Sequence, residues 1–251
     1  MELQKKLIAF GDSVMKGVFM ENADMDGKPH YVIARNTFIE EFGRRLGCDV
    51  SNYGMIGSTV TAGQMVIDRH IKDVTDSSCV LLEYGGNDSD FDWASIADAP
   101  EAVHAPRTPM TLFAQTYRGI IDRIRNCGSK PIILSLPPLC SKRYFEHFTK
   151  NMDLKRKGNV LDWLGGTFET ISSWHESYNL KLFELGSSLG IPVVDITSVF
   201  LAKRDYSRYL CCDGIHPNED GQRLIADSVC DYFSTHVNLL DSVGKQSNER
   251  N

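Results

Sequence analysis

The sequence predicts an α/β protein of three layers: a mainly parallel five-stranded sheet with helices on both faces. Two observations carry this. Short apolar runs alternate along the chain with longer amphipathic stretches, the strand–helix order that builds a parallel sheet. The runs are also nearly continuously apolar, as a strand must be when both of its faces are covered.

Taken in order, residues 7–10 (LIAF) read as the first strand, stopped by Gly11-Asp12-Ser13. Residues 31–46 have helical periodicity, with Ile33, Phe38, Phe42 and Leu46 near one stripe. A second strand follows at 48–52 and a helix at 62–74. Residues 80–84 (VLLEY) form the third strand, halted by Gly85-Gly86. A helix at 108–126 precedes the fourth strand at 131–136, which Pro137-Pro138 ends. A helix at 172–189, a fifth strand at 192–195 and a last helix at 217–236 complete the order. Two connections, about 88–107 and 139–171, are longer than this plan requires, and connections of that length are usually functional. They hold Trp93, Trp163, Tyr144, Phe145 and Phe148.

A length of 251 residues suits one large domain, and no repeat or linker divides it. The domain is read as residues 1–241, with 242–251 a frayed polar tail. A net charge of −6 argues against nucleic acid and against docking on anionic membranes. No stretch approaches the ~18 apolar residues of a membrane span. The apolar run near the N-terminus is too short for a signal peptide, so a cytoplasmic protein is expected. The seven scattered cysteines do not suggest a disulfide framework, and Cys211 and Cys212 read as small wall residues. His30, His70, His104, His147, His175 and His236 lack ligand spacing and read as surface or internally satisfied. No HExxH, paired CxxC or P-loop is present, and neither a metal nor a cofactor is expected.

In an open parallel sheet the ligand site lies at the carboxyl ends of the strands. Polar turns occur there. Gly11-Asp12-Ser13 is either a capped turn or a nucleophile on a strand end. In Asp213-Gly214-Ile215-His216-Pro217, Gly214 permits a turn that brings Asp213 onto His216, and Pro217 suits the first position of a helix capped by His216. A serine nucleophile needs such a base and such an orienting carboxylate. A solvated Asp in a capped loop is the alternative. In Gly85-Gly86-Asn87-Asp88, the Asn87 amide is a suitable donor to a developing oxyanion, or part of an ordinary turn. In Asn52-Tyr53-Gly54-Met55-Ile56-Gly57 a glycine can present its N–H, or simply allow a flexible loop.

Together, and in this order, these segments resemble the sequence blocks of the SGNH hydrolases, also called GDSL esterases/lipases. The resemblance covers roughly residues 5–236. It implies a flavodoxin-like fold, no cofactor, and a triad of Ser13, Asp213 and His216. It also implies an oxyanion hole made by the N–H groups of Ser13 and Gly57 and the Asn87 amide. Gly57 is chosen over Gly54 for its spacing from Asn52. The one G-x-S-x-G string, Gly186-Ser187-Ser188-Leu189-Gly190, ends the helix read at 172–189 and does not follow a strand, so it is no nucleophile elbow, which speaks against the α/β-hydrolase arrangement. The expected reaction is hydrolysis of a carboxylic ester through an acyl-enzyme, with a short acyl group such as O-acetyl on a carbohydrate. Trp93 and Trp163 are candidate substrate contacts. The rivals are a lysophospholipase or thioesterase using the same triad, and a non-catalytic flavodoxin-like binding protein.

Overall fold

The computed structural model describes residues 5–21 and 30–240; the expected frayed tail at 242–251 lies outside them. The chain enters through β1 (Lys6–Gly11), turns once as α1 (Ser13–Lys16), and leaves the sheet for a hairpin of β2 (Val18–Glu21) and β3 (His30–Ile33). It returns through α2 (Phe38–Leu46) and β4 (Asp49–Asn52), then α3 (Val60–Arg69), α4 (Ile71–Thr75) and β5 (Cys79–Glu83). After α5 (Trp93–Asp98) and α6 (Met110–Asn126) comes β6 (Lys130–Leu134). After α7 (Ser141–Phe148), α8 (Leu154–Trp163) and α9 (Glu169–Leu189) comes β7 (Val193–Val194). The last helices are α10 (Thr197–Leu201) and α11 (Glu219–Thr235).

The main sheet has five strands in the order β4-β1-β5-β6-β7, and every pair is parallel. The chain moves outward from β1 to one side and then to the other. The connections therefore diverge between β1 and β5 and leave a crevice at their carboxyl ends, where such sheets bind ligands. Period-two alternation divides the strands between two cores. Leu7, Ala9 and Leu81 face Phe38, Phe42, Val229 and Phe233 of α2 and α11. Ile8, Phe10, Val80 and Leu82 face Ile67, Tyr117, Ile121 and Leu182 of α3, α6 and α9.

The structure departs from the sequence reading in several places. Residues 31–46 are not one helix. His30–Ile33 pair antiparallel with Val18–Glu21, Ile33 is half exposed, and α2 starts only where Thr37 and Glu40 form a reciprocal capping box. The helix expected at 62–74 divides at His70. The long connections are not structureless, since α5, α7 and α8 fold within them and build a third, aromatic-rich cluster. The last helix begins at Glu219, and its cap is Asn218, whose Oδ1 accepts the Gly221 N–H at 3.0 Å. His216 is therefore not the cap. Pro217 instead bridges to Leu210, which leaves the His216 ring free to turn inward.

Candidate active site

Ser13 opens α1 directly after β1. Asp12 caps that turn, its Oδ1 accepting the Val14 N–H at 2.8 Å, and this fixes the backbone that carries the Ser13 hydroxyl. From the far end of the sequence, His216 Nε2 approaches Ser13 Oγ at 2.9 Å. His216 Nδ1 lies 2.7 Å from Asp213 Oδ2. Asp213 is fully buried, and its other oxygen accepts the N–H groups of Ile215 and His216 at 3.1 and 3.2 Å. Burial pushes the Asp213 carboxyl up. The His216 hydrogen bond and charge and these two N–H donors pull it further down, so it lies below its ordinary value. An ionised Asp213 accepts the Nδ1 proton, which leaves Nε2 as the acceptor for the Ser13 hydroxyl.

This row depends on the 213–217 turn. Gly214 sits at φ +80°, and a side-chain carbon there would lie 2.7 Å from the Cys140 carbonyl. Both the conformation and the space require glycine. The turn is anchored by Cys140 N–H to Gly214 O at 2.8 Å and by Cys211 N–H to His216 O at 2.8 Å. The β2–β3 hairpin closes the outer side. The Met20 N–H donates to Cys211 Sγ, and the Tyr31 ring meets His216 edge-on at 5.3 Å.

Asn87 follows β5 across the crevice and donates its amide to Asp12 Oδ2 at 2.8 Å. One amide hydrogen is thereby fixed, and the other is free for a ligand. Gly57 lies farther out. It is exposed at φ +72°, it does not line the cavity, and its N–H has no protein acceptor among the described residues.

A cavity of about 300 Å³ rises from Ser13, Asn87 and His216 under the two long connections. Phe91 lines it, its ring centroid 5.1 Å from that of Trp163 and 5.5 Å from that of Trp174. Trp93 stacks on Phe148 at 4.5 Å and is nearly buried. Asp90 ties this roof together, accepting Trp93 Nε1 and the Tyr144 hydroxyl at 2.8 Å each and pairing with Arg107 at 3.3 Å. Both expected tryptophans thus border the cavity, Trp93 mostly as packing and Trp163 as a half-buried wall. Sequence reasoning missed Trp174 and Phe91. It also read His175 as satisfied or superficial. His175 is buried on the cavity wall, its Nδ1 making no hydrogen bond but lying 3.7 Å from Glu176 Oε1. The spacing of Ile171, His175, Tyr178 and Leu182 along α9 marks a buried stripe that includes it.

Fold and site together define a flavodoxin-like three-layer α/β/α protein with a hydrogen-bonded Ser–His–Asp row at its switch point. The chain belongs to the GDSL-like lipase/acylhydrolase family, whose model matches residues 9–224. It is similar to the GDSL esterase/lipase CPRD49 of Arabidopsis thaliana, 25% identical over 155 residues. That match covers 61% of this chain and 52% of the plant protein, so the chain spans about half the length of this curated relative. Among solved structures it resembles a lipase/acylhydrolase from Enterococcus faecalis, at 16% identity and a TM-score of 0.60, covering 94% of this chain and 97% of the other. It also resembles a catalytic mutant of Axe2, an acetylxylan esterase from Geobacillus stearothermophilus. There the identity is 15% and the TM-score 0.61, over 92% of this chain and 94% of that one. No helix among the described residues is long and apolar enough to cross a membrane.

Proposed function

We propose that the protein hydrolyses carboxylic esters through an acyl-enzyme on Ser13. The observation that carries this is the continuous row from Ser13 Oγ to His216 Nε2 at 2.9 Å and from His216 Nδ1 to Asp213 Oδ2 at 2.7 Å. As Ser13 attacks the ester carbonyl, His216 takes its proton and then delivers it to the leaving alcohol. Water repeats the cycle on the acyl-enzyme. Asp213 holds the ring and stabilises the imidazolium that forms. The Ser13 N–H and the free hydrogen of the Asn87 amide receive the oxyanion, whereas Gly57, outside the cavity, is not positioned to do so.

The substrate reading is a short acyl group on a carbohydrate alcohol. The faces of Trp163 and Trp174 offer stacking surfaces for a sugar. A protein of similar fold is an acetylxylan esterase. The largely apolar wall of Phe91, Leu139, Ile171 and Ile215 favours a second reading, a longer acyl chain as in a lysophospholipid or thioester. A ladder of p-nitrophenyl esters of rising chain length, run beside acetylated xylo-oligosaccharides, separates the two. The carbohydrate reading expects acetate to lead the ladder and the oligosaccharides to release acetate. Rising kcat/KM with chain length and inert oligosaccharides would reverse the assignment. A chain inactive on every ester would remove the hydrolase reading itself.

A further inference from the structure

Beneath the proposed nucleophile lies a second carboxyl group that the triad does not use. Glu83 is the last residue of β5 and the only charged side chain in an otherwise apolar strand (CVLLE). It is 1% exposed, and Asp12 beside it is 3% exposed. Glu83 Oε2 accepts the N–H groups of Asp12 and Met15 at 3.3 Å each, one on either side of Ser13. Both carboxyl groups border the cavity floor and are hydrogen-bonded to each other. Asp12 in turn holds the Val14 N–H and the Asn87 amide, each at 2.8 Å. A single network therefore runs from Glu83 through Asp12 to Asn87 and encloses the turn that presents Ser13.

A pure apolar packing role does not require a carboxyl group here, and burying one is costly unless it is satisfied. Two carboxyl groups this close cannot both ionise readily, so one keeps a proton. Burial, together with the charge of Asp12, drives Glu83 well above the usual carboxylate range. Burial raises Asp12 as well, but the Val14 N–H, its hydrogen bond with Glu83, the charge of His216 and the Asn87 amide offset this only in part, so Asp12 stays above its ordinary value but is not driven as far as Glu83. Glu83 thus carries the proton and donates it to Asp12. The remaining Asp12 charge is what pulls the Asn87 amide into line.

We propose that Glu83 is a positioning residue for ester cleavage. It fixes the Ser13 turn through two backbone N–H groups and, through Asp12, aims the Asn87 amide at the reacting carbonyl. This rests on the acyl-enzyme reading above. The neutral form of Glu83 has a close mimic in glutamine, whose carbonyl accepts the same N–H groups and whose amide donates to Asp12. Leucine fills the space and does neither.

The test is steady-state kinetics of Glu83→Leu and Glu83→Gln on p-nitrophenyl acetate, alone and combined with Asn87→Ala, with melting temperatures recorded. Glu83→Leu lowers kcat by about 10- to 100-fold, less than the ~10²- to 10³-fold cost of removing an oxyanion donor outright, and leaves KM within about twofold. Glu83→Gln recovers most of that loss. In the Asn87→Ala background the leucine change costs at least about threefold less, because members of one network are not additive. Strict additivity, equal losses for Leu and Gln, or a folded Glu83→Leu with unchanged kcat would each overturn the proposal. If Glu83→Leu does not fold, Asp12→Asn takes its place, since it turns an acceptor for Asn87 into a second donor and its cost must likewise shrink in the Asn87→Ala background. Ser13→Ala on the same ester keeps the two claims apart. Retained turnover there defeats the acyl-enzyme reading, whereas an inactive Ser13→Ala beside an indifferent Glu83 defeats only this inference.

Discussion

The turns at the carboxyl edge of the sheet and the roof above them are built by different forces. At the edge, the turn carrying Ser13, the Asn87 amide and the Asp213–His216 pair are held by hydrogen bonds of 2.7–3.3 Å, four of these seven made by backbone N–H groups. In the roof, α5, α7 and α8 meet through rings, and the main polar tie among the cavity-lining residues is Asp90. Directional bonds set the position of an atom to tenths of an ångström. Ring packing sets volume and tolerates adjustment. Changes at the edge should therefore alter the rate of bond breaking, and changes in the roof should alter stability or the choice of ester.

The largest effect is expected at Ser13. Ser13→Ala lowers kcat on any ester by at least about a thousandfold while the melting temperature holds, because a member of the acting unit is gone. A variant that kept a tenth of wild-type turnover would break the comparison at its base. Next comes Asn87→Ala, with kcat lower by about 10²- to 10³-fold and KM little changed, since the oxyanion exists only near the transition state. A loss confined to KM would make Asn87 a substrate contact instead.

Stability against pH probes the edge in another way. The Asp213 carboxyl lies below its ordinary value of 3.8 in the folded protein. Its ionised form therefore stabilises the fold above that value, and the contribution fades as pH falls through the lower folded pKa. The urea-midpoint difference between wild type and Asp213→Asn should shrink as pH falls below about 4, where Asp213 takes up its proton. A difference that kept growing as pH fell from about 4 towards 2 would show that Asp213 is not held as an anion.

The smallest effects on the chemical step belong to the roof, where the two tryptophans should part company. Trp93→Ala removes a nearly buried ring that stacks on Phe148 and donates to Asp90. It should cost about 3–5 kcal/mol of stability and lower all activities in proportion. Trp163→Ala removes a half-buried cavity wall and should change the ranking among esters. Turnover of the smallest activated acetate should stay within about threefold, because that substrate reaches Ser13 without the wall. Identical profiles for both variants would remove the distinction between packing and wall.

The same contrast explains what the sequence made legible. The sheet was readable because β1 and β5 are short, continuous apolar runs ended by glycine-containing turns. The Ser13, Asn87 and Asp213/His216 turns were readable because each is specified by neighbours a few residues away. Gly214 is the clearest case, since its conformation and its contact with Cys140 are both demands on one residue. The roof was not readable. Phe91 meets Trp174, and Asp90 meets Tyr144, only after distant segments fold together. The β2–β3 hairpin was hidden because His30–Ile33 is too short for alternation to outweigh a helical stripe that continues into α2. Glu83 left a signal that could have been used, a lone acid in an apolar strand.

Rapid quenching of the wild-type protein with p-nitrophenyl acetate, followed by peptide mapping, tests the central claim most directly. An acetyl group on the peptide containing Ser13, accumulating with the burst of p-nitrophenol and missing from Ser13→Ala, is the expected result. Steady turnover with no acyl group on Ser13, or with the acyl group on another residue, would contradict it.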